Sequence, residues 1–551
     1  MNLGKKGVIR DTTKEINPDS ERGGSTQEVV VEEARRTDLV VAFLTVGLCL
    51  VLFATAVDNT ILATAIPRIT DDFDSLQDAG WYRSSYLVAS TALSPSFGKV
   101  YANYSVKWTY LAGLVIFEAG SVLCALAPTS SALIAGRTVA GIGGAALYSG
   151  AINIIGIAAP MNLRPVLFAV ISSMFGVASL VGPPLGGVFT DSAKLTWRWC
   201  FWINLPLGSV AFAVILFFFR VPPTTEERSS DEAISDDEDR RKIDIIKQNV
   251  AKMDPVGTVL LIPAIVSFLL ALQWGGTKYN WRDGRVWGNL VCFGCLTIAF
   301  IASQVVAGDN ATIPGRVFKQ RAVWGNALVM TFLSAAMFTH IFYFPFYFQI
   351  VLGTTATGSG LRTLAYIGSV ALTGVIVGAV MTRSGLHKPF AWAGAAIFVA
   401  GSGFLQTLRV DSGPAMFVSF QLMTGFGVGA AWQVPFVALQ RAKGLAGKPG
   451  DMAVANALMA FFNSLGAALG ISVAENVFAS TLHRQLGSIA GLQPSLANTI
   501  ANTGDAANLR NPAFLQPELL PPVLLAFNSA IMTTFIVAIA SGGLAFLSSL
   551  I

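Results

Sequence analysis

Long apolar stretches alternate with short polar segments along most of this chain. A helix needs about 20 predominantly apolar residues to cross a bilayer, and stretches of that length recur about fourteen times. They cover residues 39–66, 80–97, 108–127, 131–158, 165–189, 202–220, 255–275, 286–307, 322–348, 358–382, 389–408, 413–438, 451–479 and 520–548. The pattern therefore predicts an all-α polytopic membrane protein with about fourteen transmembrane helices.

The longest polar segments predict how these helices are grouped. Residues 1–38 lack the apolar core of a cleavable signal, and we expect a disordered cytoplasmic arm there. The loop after the sixth span contains the charged string TTEERSSDEAISDDEDRRK, which predicts a cytoplasmic linker. The expected order is a six-helix bundle at 39–220, the linker at 221–254, two inserted helices at 255–307, a cytoplasmic loop at 308–321 and a second six-helix bundle at 322–551 with an exterior loop at about 480–519.

An internal repeat relates the two predicted bundles. The string GIGGAA that begins at Gly141 aligns with GFGVGAA that begins at Gly425, and Gly98 aligns with Gly378. Both offsets are roughly 280 residues, and parallel repeats related by an axis along the membrane normal are a known transporter architecture. The repeat predicts that helices one to six match helices nine to fourteen, which leaves the seventh and eighth helices as an inserted pair.

Composition and charge agree with a membrane protein. Of the residues, 53% are hydrophobic and only 13% are charged, against about a quarter charged in soluble domains. Lys and Arg favour the segments that we place in the cytoplasm, so both termini are expected there. The net charge of +5 then reflects membrane orientation and gives no argument for nucleic-acid binding. The five cysteines and three histidines form no ligand cluster, so we expect no metal site.

Two ionisable residues occupy matching places in the predicted repeat. Asp58 lies in the first span, where a charge costs several kcal/mol unless it is paired or faces water. We expect its protonation to be coupled to conformation; the alternative is a carboxylate at a helix end, bonded to Asn59 or Thr60. The repeat offset carries Asp58 to His340 in the ninth span, which either accepts a proton from the same cavity or is a packing residue.

Arg137 opens the fourth predicted span. A guanidinium does not titrate in proteins, so its part in proton transfer would be to hold a nearby carboxyl in the charged form and release it when the pair separates. Glu118 in the third span is the candidate partner. The alternative is a fixed ion pair that only joins the third and fourth helices.

Glycine and proline are concentrated in the fifth span, where missing side chains permit close helix packing and prolines leave carbonyls free. They are Gly176, Gly182, Pro183, Pro184, Gly186 and Gly187. This block resembles the antiporter signature of the fifth helix in the major facilitator superfamily. The stretch from Asp58 to Pro67 resembles the first-helix motif of its fourteen-helix drug:proton antiporter branch, and Arg137 with Gly141 resembles the superfamily's fourth-helix motif.

The resemblance implies the major facilitator fold, with two six-helix bundles and two extra central helices, and it is strongest to fungal toxin and multidrug efflux pumps. The loop between helices two and three departs from the family pattern. There Ala102 and Ser105 stand where the family usually has Asp and Gly. This departure argues against charge-based gating by that loop.

Aromatic and amide side chains in both halves predict a substrate cavity. The set comprises Trp81, Tyr86, Tyr343, Tyr347, Gln349, Gln421, Trp432 and Gln433. An apolar cavity with a few convergent polar groups suits bulky amphipathic molecules. A site for sugars or anions would need a denser set of amides or a cluster of arginines.

These features together predict a proton-coupled antiporter that exports bulky hydrophobic or amphipathic molecules such as toxins, secondary metabolites or drugs. The chain contains no GxxxxGK[ST] phosphate loop, so we expect the proton gradient to supply the energy without a cofactor. We expect no enzymatic activity, a monomer, and a multi-pass protein of the plasma membrane, with the vacuolar membrane as the alternative. The rival functions are import or vacuolar exchange of amino acids or siderophores, and a non-transporting sensor on a transporter fold.

Overall fold

A computed structural model describes residues 20–73, 75, 78–161, 163–192, 194–219, 254–276, 279–445, 450–503, 509–511 and 514–550. Of the linker predicted at 221–254, all but Asp254 lies outside these residues. The long helical segments are α1 (Ser20–Phe73), α2 (Ala79–Asn103), α3 (Val106–Ala125), α4 (Ser130–Ala158), α5 (Arg164–Asp191), α6 (Trp199–Phe218), α7 (Pro255–Trp274), α8 (Gly284–Ala307), α9 (Arg321–Val351), α10 (Ala356–Ser384), α11 (Lys388–Leu405), α12 (Pro414–Gln440), α13 (Asp451–Gly487) and α14 (Leu520–Ser549).

Eleven helices among the described residues are long and apolar enough to cross a membrane. The helices α2, α5 and α11 are outside that group, yet each has at least 18 residues. The eleven helices and these three make fourteen long helices among the described residues, which is the number that the sequence predicts. The all-α polytopic fold is thereby confirmed.

The first helix begins earlier than the apolar pattern predicts. Its apolar span starts at Leu39, but the helix itself starts at Ser20. Residues 20–38, for which we expected disorder, are therefore helical in the structure. Glu, Gln, Ala and Arg are frequent between residues 27 and 36, and all four are strong helix formers. Their propensity lets the helix extend beyond the apolar span.

Two six-helix bundles share one pattern of helix contacts. In the first bundle, α1 packs on α5 and α6, and α4 packs on α2 and α3. In the second bundle, α9 packs on α13 and α14, and α12 packs on α10 and α11. Each contact of the first bundle thus has a counterpart eight helices later, as the internal repeat requires.

Glycines bring the same helix pairs together in both bundles. A Cβ on Gly143 of α4 would overlap the backbone of Phe117 on α3, and a Cβ on Gly427 of α12 would overlap the backbone of Phe398 on α11. Backbones that approach this closely tolerate only glycine at the contact. The glycine motif that revealed the repeat therefore marks equivalent helix crossings.

The two bundles meet along two seams that are equivalent under the repeat. The helix α2 packs on α13, and α5 packs on α10. The inserted helix α7 covers the first seam, since it contacts both α2 and α13 while it packs against α8. Most of α8 is exposed. The inserted pair therefore lies outside the bundles, with α8 placed to face lipid.

Contacts between the bundles close one end of the molecule. We call the end at which the apolar span of α1 begins the near face, and the opposite end the far face. At the near face, Arg164 Nη1 donates to Gln440 Oε1 at 2.9 Å. A Cβ on Gly450 would lie 2.7 Å from Ala102 Cβ. Contacts this close seal the near face between the two bundles.

Candidate functional site

The structure pairs Arg137 with Asp58 inside the first bundle. The Nη1 atom of Arg137 donates to the carboxylate of Asp58, and both side chains are 0% exposed. The Nε atom donates to the Tyr82 carbonyl at 2.9 Å, and Nη2 lies 3.4 Å from Asn59 Oδ1. A buried ion needs an opposite charge and further hydrogen bonds to offset the loss of hydration. Arg137 has both.

The other oxygen of Asp58 is bonded to a residue that our sequence analysis did not select. Asn204, near the start of α6, donates from Nδ2 to Asp58 Oδ1 at 3.1 Å and also lies 3.1 Å from Ser121 Oγ. The side chain of Asn204 is fully buried. An amide at the start of an apolar helix is a usable sequence signal, but it does not reveal which helix it bonds.

The structure corrects the expected partnership of Arg137 with Glu118. Glu118 of α3 is half-buried, and neither of its carboxylate oxygens has a hydrogen-bond partner among the described residues. Its Oε1 atom lies against Gly208 of α6, where a Cβ would overlap it. Asp58 is the more deeply buried carboxylate, and it takes the guanidinium.

His340 lies in the second bundle, away from the buried ion pair. It is 0% exposed, and neither ring nitrogen has a hydrogen-bond partner in the part of the chain that the structure describes. Its ring is surrounded by aromatic rings with centroids 4.9 to 5.8 Å away, namely those of Phe344, Tyr366, Phe398 and Phe535. The structure therefore packs His340 among aromatic rings inside the second bundle.

Two glycines of the fifth-helix signature form close contacts of different kinds. Gly176 lies against Ile367 of α10, across the seam between the bundles. Gly182 lies against Thr60 of α1, where a Cβ would overlap the hydroxyl oxygen. That hydroxyl donates to the Ala178 carbonyl at 3.0 Å. The signature thus holds α5 against both α1 and α10.

The end of the signature is more open. The Gly186 carbonyl accepts from Thr190 Oγ1 at 2.6 Å, and a Cβ on Gly187 would meet nothing within 4 Å. Pro184 is exposed, and α5 continues through Pro183 and Pro184 to Asp191. A Cβ would therefore overlap a neighbouring helix at Gly176 and Gly182 but not at Gly187.

A cavity of about 220 Å³ lies between the two bundles. Eight helices line it, four from each bundle: α1, α2, α4 and α5, and their repeat counterparts α9, α10, α12 and α13. Of the eight residues that we expected at a substrate cavity, Tyr86, Trp432 and Gln433 lie in its wall. The cavity therefore occupies the place where a site shared by both repeats is expected.

The other five residues of the expected set lie elsewhere. Trp81 is half-buried in α2, and Gln349 is half-buried in the last turn of α9. Tyr343 packs against Phe346 and Phe478, Tyr347 donates to the Arg409 carbonyl at 2.9 Å, and Gln421 is fully buried. The sequence gives the depth of a residue along a helix, whereas the rotation of that helix decides whether the residue faces the cavity.

Two residues connect the cavity with the buried ion pair. Asn59 and Tyr86 both line the cavity. The guanidinium carbon of Arg137 lies 4.8 Å from the centroid of the Tyr86 ring, and Asn59 Oδ1 faces Arg137 Nη2. Asn59 also donates to the Thr55 carbonyl at 2.8 Å. The ion pair is thus separated from the cavity by a single layer of side chains.

A second charged cluster lies at the near face, and the sequence analysis missed it. Arg316, in the loop after the inserted helices, donates from Nη1 to Asp451 Oδ2 at 2.7 Å, and its Nε lies 3.0 Å from Asp309 Oδ1. Lys99 of α2 donates to the Asp309 carbonyl at 3.1 Å. The cluster joins α2, α13 and the inserted loop. Charges that meet only through three distant segments leave no local sequence pattern.

Asp254 anchors the inserted helices beside this cluster. Its carboxylate accepts from the Gly257 backbone at 2.8 Å and from Gln304 Nε2 at 2.7 Å. It also accepts from the backbone and the hydroxyl of Thr312, at 2.8 and 3.0 Å. Burial raises the pKa of this carboxyl, but the hydrogen bonds outweigh burial and hold the pKa below its usual value. Asp254 therefore fixes the loop that presents Arg316.

Comparison with known proteins gives relatives along almost the whole chain. The chain is 39% identical over 508 residues to the efflux pump roqT of Penicillium rubens, covering 92% of this chain and 89% of that protein. It is 40% identical over 514 residues to the aspyridones efflux protein of Neocamarosporium betae, covering 93% and 86%.

A solved structure and a family model agree with these relatives. The human organic anion transporter MFSD10 has a similar fold, with a TM-score of 0.53 at 15% identity, over 94% of this chain and 98% of that one. The family model described as Major Facilitator Superfamily matches residues 48–471. This chain is therefore a multi-pass membrane transporter, not an enzyme, and belongs to the Major Facilitator Superfamily.

Proposed function

We propose that this transporter is a proton-coupled antiporter that exports bulky hydrophobic or amphipathic organic molecules, such as toxins, secondary metabolites or drugs. The observation that carries the proposal is the buried pair of Asp58 and Arg137, one side-chain layer from a cavity shared by both bundles. The names of relatives that are 39% and 40% identical, an efflux pump and an efflux protein, support the direction of transport.

Protonation of Asp58 is the coupling step in this proposal. A proton on the carboxylate removes the charge that compensates Arg137, and an uncompensated buried charge costs about 3–5 kcal/mol. The protonated state is therefore stable only if Arg137 moves or gains water. Arg137 contacts Asn59 and Tyr86, so its movement changes the cavity wall.

The two bundles alternate by rocking about the cavity, in keeping with their repeated architecture. The sealed near face supports a state that is closed on that side. We place the near face and both termini in the cytoplasm, and the protein in the plasma membrane as a monomer. Proton entry from the outside then drives return to the inward-facing state after substrate release, and the gradient supplies the energy without a cofactor.

Export from yeast tests the proposal. A panel of lipophilic dyes and fungal toxins is loaded into pump-deficient yeast that express the wild type, Asp58→Asn, or the control Asp411→Asn, which changes an exposed loop residue. At matched surface expression, we expect the wild type and the control to lower dye retention until a protonophore is added. Asp58→Asn is expected to lose export.

Either of two results would contradict the proposal. Export by Asp58→Asn at the wild-type rate would remove Asp58 from the coupling step. Wild-type protein that changes the retention of no compound would favour import or sensing over efflux.

A further inference from the structure

The wall of the cavity offers hydrogen bonds but no ionic partner. Among the described residues that line it, none is Asp, Glu, Lys, Arg or His. Its polar side chains are neutral: the indole of Trp432, and hydroxyls and amides that include those of Ser90, Ser172, Gln433 and Asn463. A charged ligand would lose its hydration there without gaining a counter-ion, which costs several kcal/mol.

The ion pair nearest the cavity compensates itself. Arg137 and Asp58 carry opposite charges and are bonded to each other. Asn59 and Tyr86 stand between that pair and the cavity. A ligand therefore meets an amide and a phenol on this side, and the pair presents no net charge to it.

The remaining wall is rich in aromatic rings. The six rings that line the cavity belong to Tyr86, Tyr148, Phe175, Phe338, Tyr366 and Trp432. They come from both bundles and from six helices. Aromatic side chains favour offset stacking and edge contacts with other rings, each worth about 0.5–1.5 kcal/mol beyond area burial. A planar ligand with fused rings can make several such contacts at once.

Two buried side-chain atoms of residues in the wall lack a hydrogen-bond partner within the described part of the chain: the Tyr366 hydroxyl oxygen and the amide oxygen of Gln433. Gln433 is 3% exposed and lines the cavity, and its Oε1 atom has no hydrogen-bond partner within the described part of the chain. A buried acceptor without a partner costs about 1–3 kcal/mol, which a hydroxyl or N–H of a ligand would recover. Gln433 is therefore placed to orient the bound molecule.

We infer that the cavity selects uncharged aromatic molecules with a hydroxyl or N–H group. Gln433 orients these molecules and, as a neutral amide, determines which ligand charge the cavity prefers. This inference rests on the proposed function and gives it a substrate class. A carboxylate in place of the Gln433 amide would supply the missing counter-ion, so the preference would shift toward cations.

Three pyrenes that differ in charge test the inference. Hydroxymethylpyrene, pyrenecarboxylate and trimethyl(pyrenylmethyl)ammonium share one ring system and are neutral, anionic and cationic. Each is titrated onto the full chain in lipid nanodiscs, with energy transfer from tryptophan to pyrene as the signal and empty nanodiscs as the blank. We expect the neutral compound to bind at least about tenfold more tightly than either ion, which corresponds to about 1.4 kcal/mol.

Substitution of Gln433 separates the role of charge from that of shape. In Gln433→Glu, the affinity for the cation is expected to rise by about tenfold, whereas Gln349→Glu, outside the cavity, should leave all three affinities unchanged. If Gln433→Glu does not fold, Asn463→Asp on α13 places a carboxylate in the same wall. Its Oδ1 already accepts from Ser334 Oγ at 2.6 Å, a bond that a carboxylate retains.

Several outcomes would overturn the inference. These are equal binding of the three pyrenes, failure of hydroxymethylpyrene to bind, and a folded Gln433→Glu or Asn463→Asp variant with no gain for the cation. Because binding is measured without transport, it is independent of the export experiment. Wild-type protein that exports no compound but keeps the charge preference in binding would reject the proposed function alone. Wild-type protein that exports but binds the three pyrenes equally would reject the inference alone.

Discussion

The burial of Arg137 and that of Asp58 depend on each other. Each side chain is 0% exposed, and neither could remain charged there alone. Asn204, Asn59 and the Tyr82 carbonyl complete the hydrogen bonds of the pair. At the scale of single residues, the structure therefore predicts that removing one charge is worse than removing both.

Thermal unfolding of three variants checks this prediction. Arg137→Gln leaves Asp58 uncompensated and is expected to destabilise the protein by about 3–5 kcal/mol. Asp58→Asn is expected to destabilise it for the same reason. The double variant Asp58→Asn with Arg137→Gln should recover a large part of this loss, because two neutral side chains can share a hydrogen bond. Additive losses would show that the pair contributes no coupling energy.

The sequence analysis selected both Asp58 and Arg137, but it did not predict that these two residues bind each other. Ionisable residues inside apolar spans are conspicuous, and this was enough to select Asp58, Arg137 and Glu118. Which carboxylate reaches the guanidinium depends on the rotation and crossing of three helices. Glu118 lies instead against Gly208. The same limit applies to Gln421, which is buried but does not line the cavity.

At the scale of helices, the fifth-helix signature contains glycines with opposite surroundings. A Cβ on Gly182 would overlap Thr60 of α1, whereas a Cβ on Gly187 would meet nothing within 4 Å. Both positions lie in α5. The motif therefore mixes one position that requires close packing with another that does not.

Alanine substitutions at Gly182 and Gly187 should have different effects on the stability of the protein. Gly182→Ala forces α1 and α5 apart and is expected to cost about 1–3 kcal/mol. Gly187→Ala adds no clash and gains helix propensity, so we expect a neutral or slightly stabilising effect of up to about 1 kcal/mol. Thermal unfolding in nanodiscs and export in yeast measure both. Equal losses at the two positions would contradict the packing described above.

Helix positions are the part of the structure that the sequence predicts best. The fourth span was expected at 131–158 and is Ser130–Ala158; the seventh was expected at 255–275 and is Pro255–Trp274. Bilayer thickness and the need to satisfy every backbone group fix these lengths. The start of α1 at Ser20 was missed because that part of the helix is polar, and hydropathy does not detect it.

At the scale of the whole molecule, the arrangement of the two bundles implies a movement. They meet along α2 with α13 and along α5 with α10, and the repeat exchanges these two seams. A rocking motion that opens the near face must separate residues that now touch there. Arg164 and Gln440 are such a pair, since their side chains share a hydrogen bond across the two bundles.

A reversible tether between these two positions should stop transport. In a chain whose exposed Cys292 and Cys295 are replaced by serine, Arg164→Cys and Gln440→Cys are joined by a short bis-thiosulfonate linker. We expect export of a lipophilic dye to fall by at least about tenfold, because the bundles can no longer separate at the near face. A reductant should restore it. Each single-cysteine variant, treated in the same way, should keep its export. Export that continues while gel mobility shows complete tethering would mean that the near face does not open, and the cavity would then have to load from another direction.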